Sequence, residues 1–149
     1  MLRRTHLAIG LAVMLYFLPH VNDKVIFIPI LLISSLLPDI DSGFSFFGRK
    51  AIAKPIQFIS SHRGFFHSYT FCIIASILLA LFYPVFALPF FLGYSFHLLA
   101  DSFTINGIKP FWPFRFSSSG NVRVGGKMEY VIFFVFIILD VFLLLFLFI

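Results

Sequence analysis

From Tyr130 to Ile149 the chain carries no charged side chain except Asp140. A helix of about 20 apolar residues is what crosses a ~30 Å hydrocarbon layer. An element that is apolar on every side has no place on the surface of a water-soluble domain. This segment therefore commits the chain to a membrane. Four further apolar segments precede it, at 5–19, 25–38, 67–83 and 84–101, with the last at 129–149. The second is short and is expected to span by thinning the bilayer locally or by leaving its ends at headgroup depth. Pro84 divides the third and fourth segments into a tight helical hairpin, and Pro19-His20-Val21-Asn22-Asp23 turns the chain between the first two. Charged residues make up only 11% of the chain and its mean hydropathy is +1.04, against about 25% charged in soluble domains. The expected fold is all-α: one domain over residues 1–149, a polytopic membrane bundle of about five transmembrane helices.

Arg3 and Arg4 ahead of an apolar stretch imitate a secretory signal, but no small-x-small cleavage pattern follows and His6 interrupts the run. The segment is read as a retained first span. The single Cys72 lies inside an apolar run, so it forms no disulfide framework and is read as a packing residue.

Orientation follows from the basic residues. With the N-terminus cytoplasmic and all five segments crossing, Arg3, Arg4, Arg49, Lys50, Lys54, Arg63, Lys109, Arg115, Arg123 and Lys127 fall on the cytoplasmic side. Only Lys24 of the eleven lies opposite. The net charge of +5 is thus a topology signal, and no nucleic-acid partner is expected. The expected location is the inner, cytoplasmic membrane, multi-pass, among membrane lipids.

That topology, built from Lys and Arg alone, brings another set of residues to one face. His6 opens the first helix. Pro38-Asp39-Ile40-Asp41 ends the second, His62-Arg63-Gly64-Phe65-Phe66-His67 leads into the third, and His97-Leu98-Leu99-Ala100-Asp101 ends the fourth. Imidazole nitrogen and carboxylate oxygen are ligands for zinc, manganese and iron. His97 and Asp101 are four apart and share a helical face. Taken singly, a histidine at a helix end or an Asp-x-Asp turn has an ordinary structural explanation. Their convergence on one face of so charge-poor a chain points to a site for one or two divalent ions, zinc first, with manganese or iron as alternatives. The expected ligands are His6, Asp39, Asp41, His67, His97 and Asp101. Some of these would orient the ligating histidines instead of touching the ion. Asp39 or Asp41, if unligated, is a candidate general base. Arg63 suits an anionic group on a substrate, and His62 is either a ligand or a proton donor to a leaving group. Gly64 permits the tight backbone between the two histidines.

Other features have simpler readings. His20 lies in a turn on the opposite side. Ile52, Ile56 and Ile59, at helical spacing among Arg49, Lys50 and Lys54, mark an amphipathic interfacial segment. Phe111-Trp112-Pro113-Phe114 is expected at headgroup depth. Ser117-Ser118-Ser119-Gly120 and Gly125-Gly126 read as flexible stretches. Glu129 is expected to favour the N-terminus of the last helix. Asp140, mid-span, is expected to be protonated and hydrogen-bonded at a helix contact.

Thr5-His6, Leu37-Pro38-Asp39-Ile40-Asp41, His62-Arg63-Gly64-Phe65-Phe66-His67-Ser68 and His97-Leu98-Leu99-Ala100-Asp101, followed by Gly107 and Trp112-Pro113, resemble the YdjM-like family of membrane-bound, metal-dependent hydrolases. The likeness covers most of residues 5–114. The order His, Asp, His, then His-x-x-x-Asp is also similar to part of the zinc phospholipase C and P1 nuclease pattern. The chain lacks that pattern's later His-x-x-x-Glu pair, since Gly125 stands four residues before Glu129. The resemblance implies metal-dependent hydrolysis. With the site at the membrane face, a phosphoester on a lipid or other membrane-associated molecule is the expected substrate. A non-catalytic membrane regulator or scaffold, in which a metal only staples helix ends, is the rival expectation. A metal-ion transporter is a weaker one, because transport sites lie near the bilayer midplane.

Overall fold

The structure, a computed structural model, describes residues 1–41 and 65–147, and the side chains of Ile40 and Asp41 fall outside that description. The described residues contain five α-helices: α1 (Arg3–Phe17), α2 (Lys24–Ser34), α3 (Tyr69–Phe82), α4 (Pro84–Ser102) and α5 (Lys127–Phe146). Among the described residues there is no β-strand, only two isolated bridges. The amphipathic segment expected around Ile52–Ile59 lies outside the described residues.

Proline chemistry sets several of the boundaries. α1 runs into a short 3-10 turn at Leu18–His20 that contains Pro19, and α2 gives way to another at Leu37–Asp41 around Pro38. Tyr83 leaves the helical conformation before Pro84 (φ −143°, ψ 68°), which ends α3 and starts α4. Proline disfavours the helical conformation in the residue before it and is well tolerated in a first helical turn. Ser68 caps α3, its hydroxyl accepting from the Phe71 amide at 3.2 Å.

α4 is the centre of the bundle, packing against α2, α3 and α1, while α5 packs along α1. Two glycines let the end of α2 come close. A Cβ on Gly93 of α4 would stand 2.3 Å from the Leu31 carbonyl oxygen and 3.0 Å from the Ser35 amide nitrogen. A Cβ on Gly10 of α1 would meet the Ser35 side chain at 3.0 Å. Small residues at such crossings let helix backbones approach, the usual way helices pack where water provides no drive.

The outer faces are apolar. Ile73, Ile77 and Leu81 of α3 and Phe134, Ile138 and Phe142 of α5 are all exposed. Among the described residues two helices, α4 and α5, are long and apolar enough to cross a membrane, at 19 and 20 residues. The connection from α4 to α5 is more ordered than its serines and glycines suggest. Ile108 and Ser118 exchange two backbone hydrogen bonds of 2.9 Å, and Thr104 pairs with Val122. Gly107 makes the turn at φ +59°, where a Cβ would fall 2.3 Å from the Ser118 carbonyl oxygen. Ser118, expected in a flexible stretch, is thus tied down by pairing with Ile108.

Candidate metal centre

The four donors come from one end of the bundle. Asp39 sits in the turn after α2, His67 in the 3-10 turn Phe65–His67 before α3, and His97 and Asp101 on the last turns of α4. The His67 segment is pinned to α4 from both sides. Tyr94 donates its hydroxyl to the Phe66 carbonyl at 2.6 Å, and Tyr69 donates to the Ser95 carbonyl at 3.0 Å. Asp101 is backed by Thr104, whose hydroxyl donates to the Asp101 carbonyl at 2.7 Å.

His97 Nε2 lies 3.8 Å from Asp101 Oδ2 and 3.9 Å from Asp39 Oδ1. His67 Nε2 lies 3.9 Å from the same Asp39 oxygen and 4.0 Å from Asp101 Oδ2. One atom from each residue falls within 4.8 Å of the other three. These separations are too long for hydrogen bonds. Four donors held ~2.1 Å from one ion in tetrahedral array stand about 3.4 Å apart, so the set is only a little wider than such a shell.

The protonation of His97 fits a ligand. Its Nδ1 lies 2.7 Å from the Ser35 carbonyl oxygen, which can only accept, so the proton is on Nδ1 and the lone pair on Nε2. Nε2 is buried and has no hydrogen-bond partner, and it faces both carboxylates. Ligating histidines are oriented in this way by an acceptor behind the ring. Burial pushes the Asp39 carboxyl above its ordinary range; His6 opposes the rise and the neighbouring Asp101 carboxylate adds to it. A cation among these groups would favour the carboxylate form instead. The residues therefore fit a divalent ion, with Asp39, His67, His97 and Asp101 as its holders.

His6 joins the cluster from the side. Its ring stacks on that of His97 with centroids 3.7 Å apart, and its Nε2 stands 3.3 Å from Asp101 Oδ1. The Met1 amine lies against the same oxygen. Asp101 thus turns one oxygen to His6 and the other to His67 and His97. Asp41, His62 and Arg63 are the remaining expected site residues; the Asp41 side chain, His62 and Arg63 lie outside the described residues.

Three groups act differently from a reading of the sequence. Glu129 is not in the four-donor set. It accepts from the Gly125 amide at 2.6 Å, from the Leu2 amide at 2.5 Å and from the Thr5 hydroxyl at 3.0 Å, so it serves the start of α1 as well as that of α5. Its acidic position at the head of α5 was visible; its reach to α1, 124 residues away, was not. Asp140 is buried as expected, but neither of its oxygens has a hydrogen-bond partner among the described residues. Ser35, whose carbonyl orients His97, gave no signal, because a backbone acceptor can belong to any residue.

Glu129 carries a prediction of its own. Hydrogen bonds to a charged group contribute about 1.5–3 kcal/mol each. Glu129→Ala is expected to speed hydrogen exchange at the Leu2 and Gly125 amides by at least about tenfold. Exchange at α3 amides, remote from this contact, should not change. Unaltered exchange at Leu2 and Gly125 would show that the three bonds do not hold the two helix starts together.

Residues 1–148 match the family model described as YdjM inner membrane protein. The chain belongs to that family. Among curated relatives, Inner membrane protein YdjM of Escherichia coli (strain K12) is 41% identical over 97 residues, covering 59% of this chain and 50% of the relative. The protein of the same name from Shigella flexneri aligns with the same figures. Uncharacterized protein YvsG of Bacillus subtilis (strain 168) is 32% identical over 85 residues, covering 54% of this chain and 53% of the relative. The chain spans about half the length of these curated relatives. No solved structure matches it. Membership of the YdjM family, with the two long apolar helices, makes this a membrane protein whose buried His/Asp cluster could hold a metal ion.

Proposed function

We propose that this protein is a membrane-embedded, metal-dependent hydrolase acting on a phosphoester of a lipid or other membrane-associated molecule. The observation that carries the reading is the buried group of Asp39, His67, His97 and Asp101, with one donor atom of each within 4.8 Å of the rest. A divalent ion bound there, zinc in the first instance, would supply Lewis acidity to activate water and polarise a phosphoryl oxygen. His97, His67 and Asp101 are almost fully buried, whereas the Asp39 side chain keeps 19% of its surface. Asp39 is therefore the most open of the four donors to a substrate and water, and whichever of Asp39 and Asp41 is left unligated would hold a proton during hydrolysis. Arg63 would bind the phosphoryl charge and His62 would give a proton to the leaving group.

The same proposal has all five helices cross the membrane with the N-terminus and the site on the cytoplasmic side. Ten of the eleven basic residues then lie on one side, as the distribution of charge requires. α1, α2 and α3, of 15, 11 and 14 residues, are short for the task and would span with local thinning or with the turns at their ends.

The test is elemental analysis of the purified full chain with hydrolysis assays on phosphatidic acid, phospholipid and soluble phosphodiester panels. The expected result is bound zinc, manganese or iron and a turnover that a chelator removes and the metal restores. A protein that holds its metal and turns over nothing on the panels favours a structural staple instead, and a metal-free protein overturns both readings.

A further inference from the structure

Beside the His/Asp cluster lies a groove of about 310 Å³ between α1, α4 and α5. Its floor is Met1, Ile9 and Ala100, all buried. Phe96 and Ile132 form walls, and Phe103, exposed, stands at the rim. Two of these helices, α4 and α1, also border the cluster. Phe96 and Ala100 each stand one residue before His97 and Asp101 on α4. Ile9 is one turn beyond His6 on α1, and the amine of Met1 touches Asp101.

We propose that this groove binds the acyl chain of a membrane phospholipid and so presents the lipid's head group to the cluster. Three observations choose this occupant. The lining is apolar throughout, which suits a chain without polar groups along its length. The volume is that of a small-ligand site and is too small for a helix, whose diameter is about 10 Å. Exposed Leu99 and Phe103 are among its lining residues, and it lies between the two described helices long enough to cross a membrane. At the end where α1 and α5 begin, Arg4, Arg123 and Lys127 are exposed, and Arg123 directly follows the lining residue Val122. That charge complements an anionic phosphate head. The inference names the substrate of the proposed hydrolase and rests on that reading for the fate of the lipid, not for its binding.

The experiment uses the full chain in bilayers of phosphatidylethanolamine and phosphatidylglycerol, doped with phosphatidylglycerol carrying a diazirine in its acyl chain. After illumination, adducts are mapped by mass spectrometry and the metal content is measured on the same sample. Labelling is expected within Phe96–Phe103 and Ile132–Phe136. Ala100→Leu and Ile132→Trp, which fill the groove from different helices, should each cut it by about tenfold, as a loss of about 1.4 kcal/mol would. Labelling of the outer face of α3 at Ile73–Leu78 should stay constant, which reports an intact fold and ordinary lipid contact. If both variants keep the α3 labelling and lose none in the groove, the groove holds only bulk lipid and the proposal fails, whatever the metal content. Groove-dependent labelling of a protein without metal upholds the acyl site and removes the hydrolase.

Discussion

Protein carrying His97→Ala is expected to leave purification with about a tenth or less of the metal bound by wild type. The substitution removes a buried donor whose lone pair faces both Asp39 and Asp101, and with it the hydrogen bond that ties α4 to the end of α2 through Ser35. Asp101→Asn should come close to the same loss, since it takes away the charge that faces His67 and His97 while keeping the side chain's shape. His6→Ala should cost less, because His6 reaches the cluster through Asp101 Oδ1 and by stacking on His97. Inductively coupled plasma mass spectrometry on the three variants checks the ranking. Equal retention across all three and wild type would mean that the cluster holds no ion. A larger loss for His6→Ala than for His97→Ala would move the ion to the other side of Asp101. Thermal melting after stripping with a chelator separates loss of a ligand from loss of fold.

Gly93→Val is expected to damage the protein as much as any ligand change, although Gly93 touches no donor atom. Its Cβ would stand 2.3 Å from the Leu31 carbonyl oxygen, a backbone atom that cannot rotate away. Overpacking of this kind costs about 1–3 kcal/mol, and more where backbone must shift. The displaced segment is the end of α2, which carries the Ser35 carbonyl and leads into Asp39, so the fall in thermal stability should come with a fall in metal affinity. Gly10→Ala is the milder companion, since its Cβ would meet side-chain atoms instead of backbone, those of Ser35 at 3.0 Å and Leu32 at 4.0 Å. Gly125→Ala separates backbone strain from crowding, since it has open space around it but a φ of +74° and an amide bonded to Glu129. Thermal unfolding in detergent with parallel metal analysis tests the order. A Gly93→Val protein as stable as wild type would mean that α2 and α4 do not pack this closely.

The two longest helices were legible in the sequence because a membrane-crossing helix is apolar on every face, so their limits are written by a proline and polar clusters instead of by periodicity. Expected segments 84–101 and 129–149 became Pro84–Ser102 and Lys127–Phe146. The convergence of Asp39, His67, His97 and Asp101 was legible too, because alternating helix directions bring those positions to one end whatever the packing. Which helix lies against which was not. Cys72 is buried while its neighbour Ile73 is exposed, and both are apolar, so composition does not separate a lipid-facing side from a helix-facing one. For the same reason the groove beside Ala100 and the reach of Glu129 to Thr5 had no signature in the chain. Asp140 was expected to be hydrogen-bonded at a helix contact; it is buried, but neither oxygen finds a partner among the described residues.

The positions of the donors also bear on how the protein is made. Asp39, His67, His97 and Asp101 are supplied by the end of α2, the approach to α3 and the end of α4. A chain emerging from the ribosome has half of the donor set once His67 is made and gains the other half only within the last turns of α4. If the cluster takes an ion as proposed, loading would therefore wait until most of the bundle is synthesised. An ion that then binds closes loops of about 30 and 60 residues at once, and the free energy of capture becomes free energy of assembly. In a cell short of the metal, the expected phenotype is a slow-maturing, protease-sensitive protein before it is an inactive one.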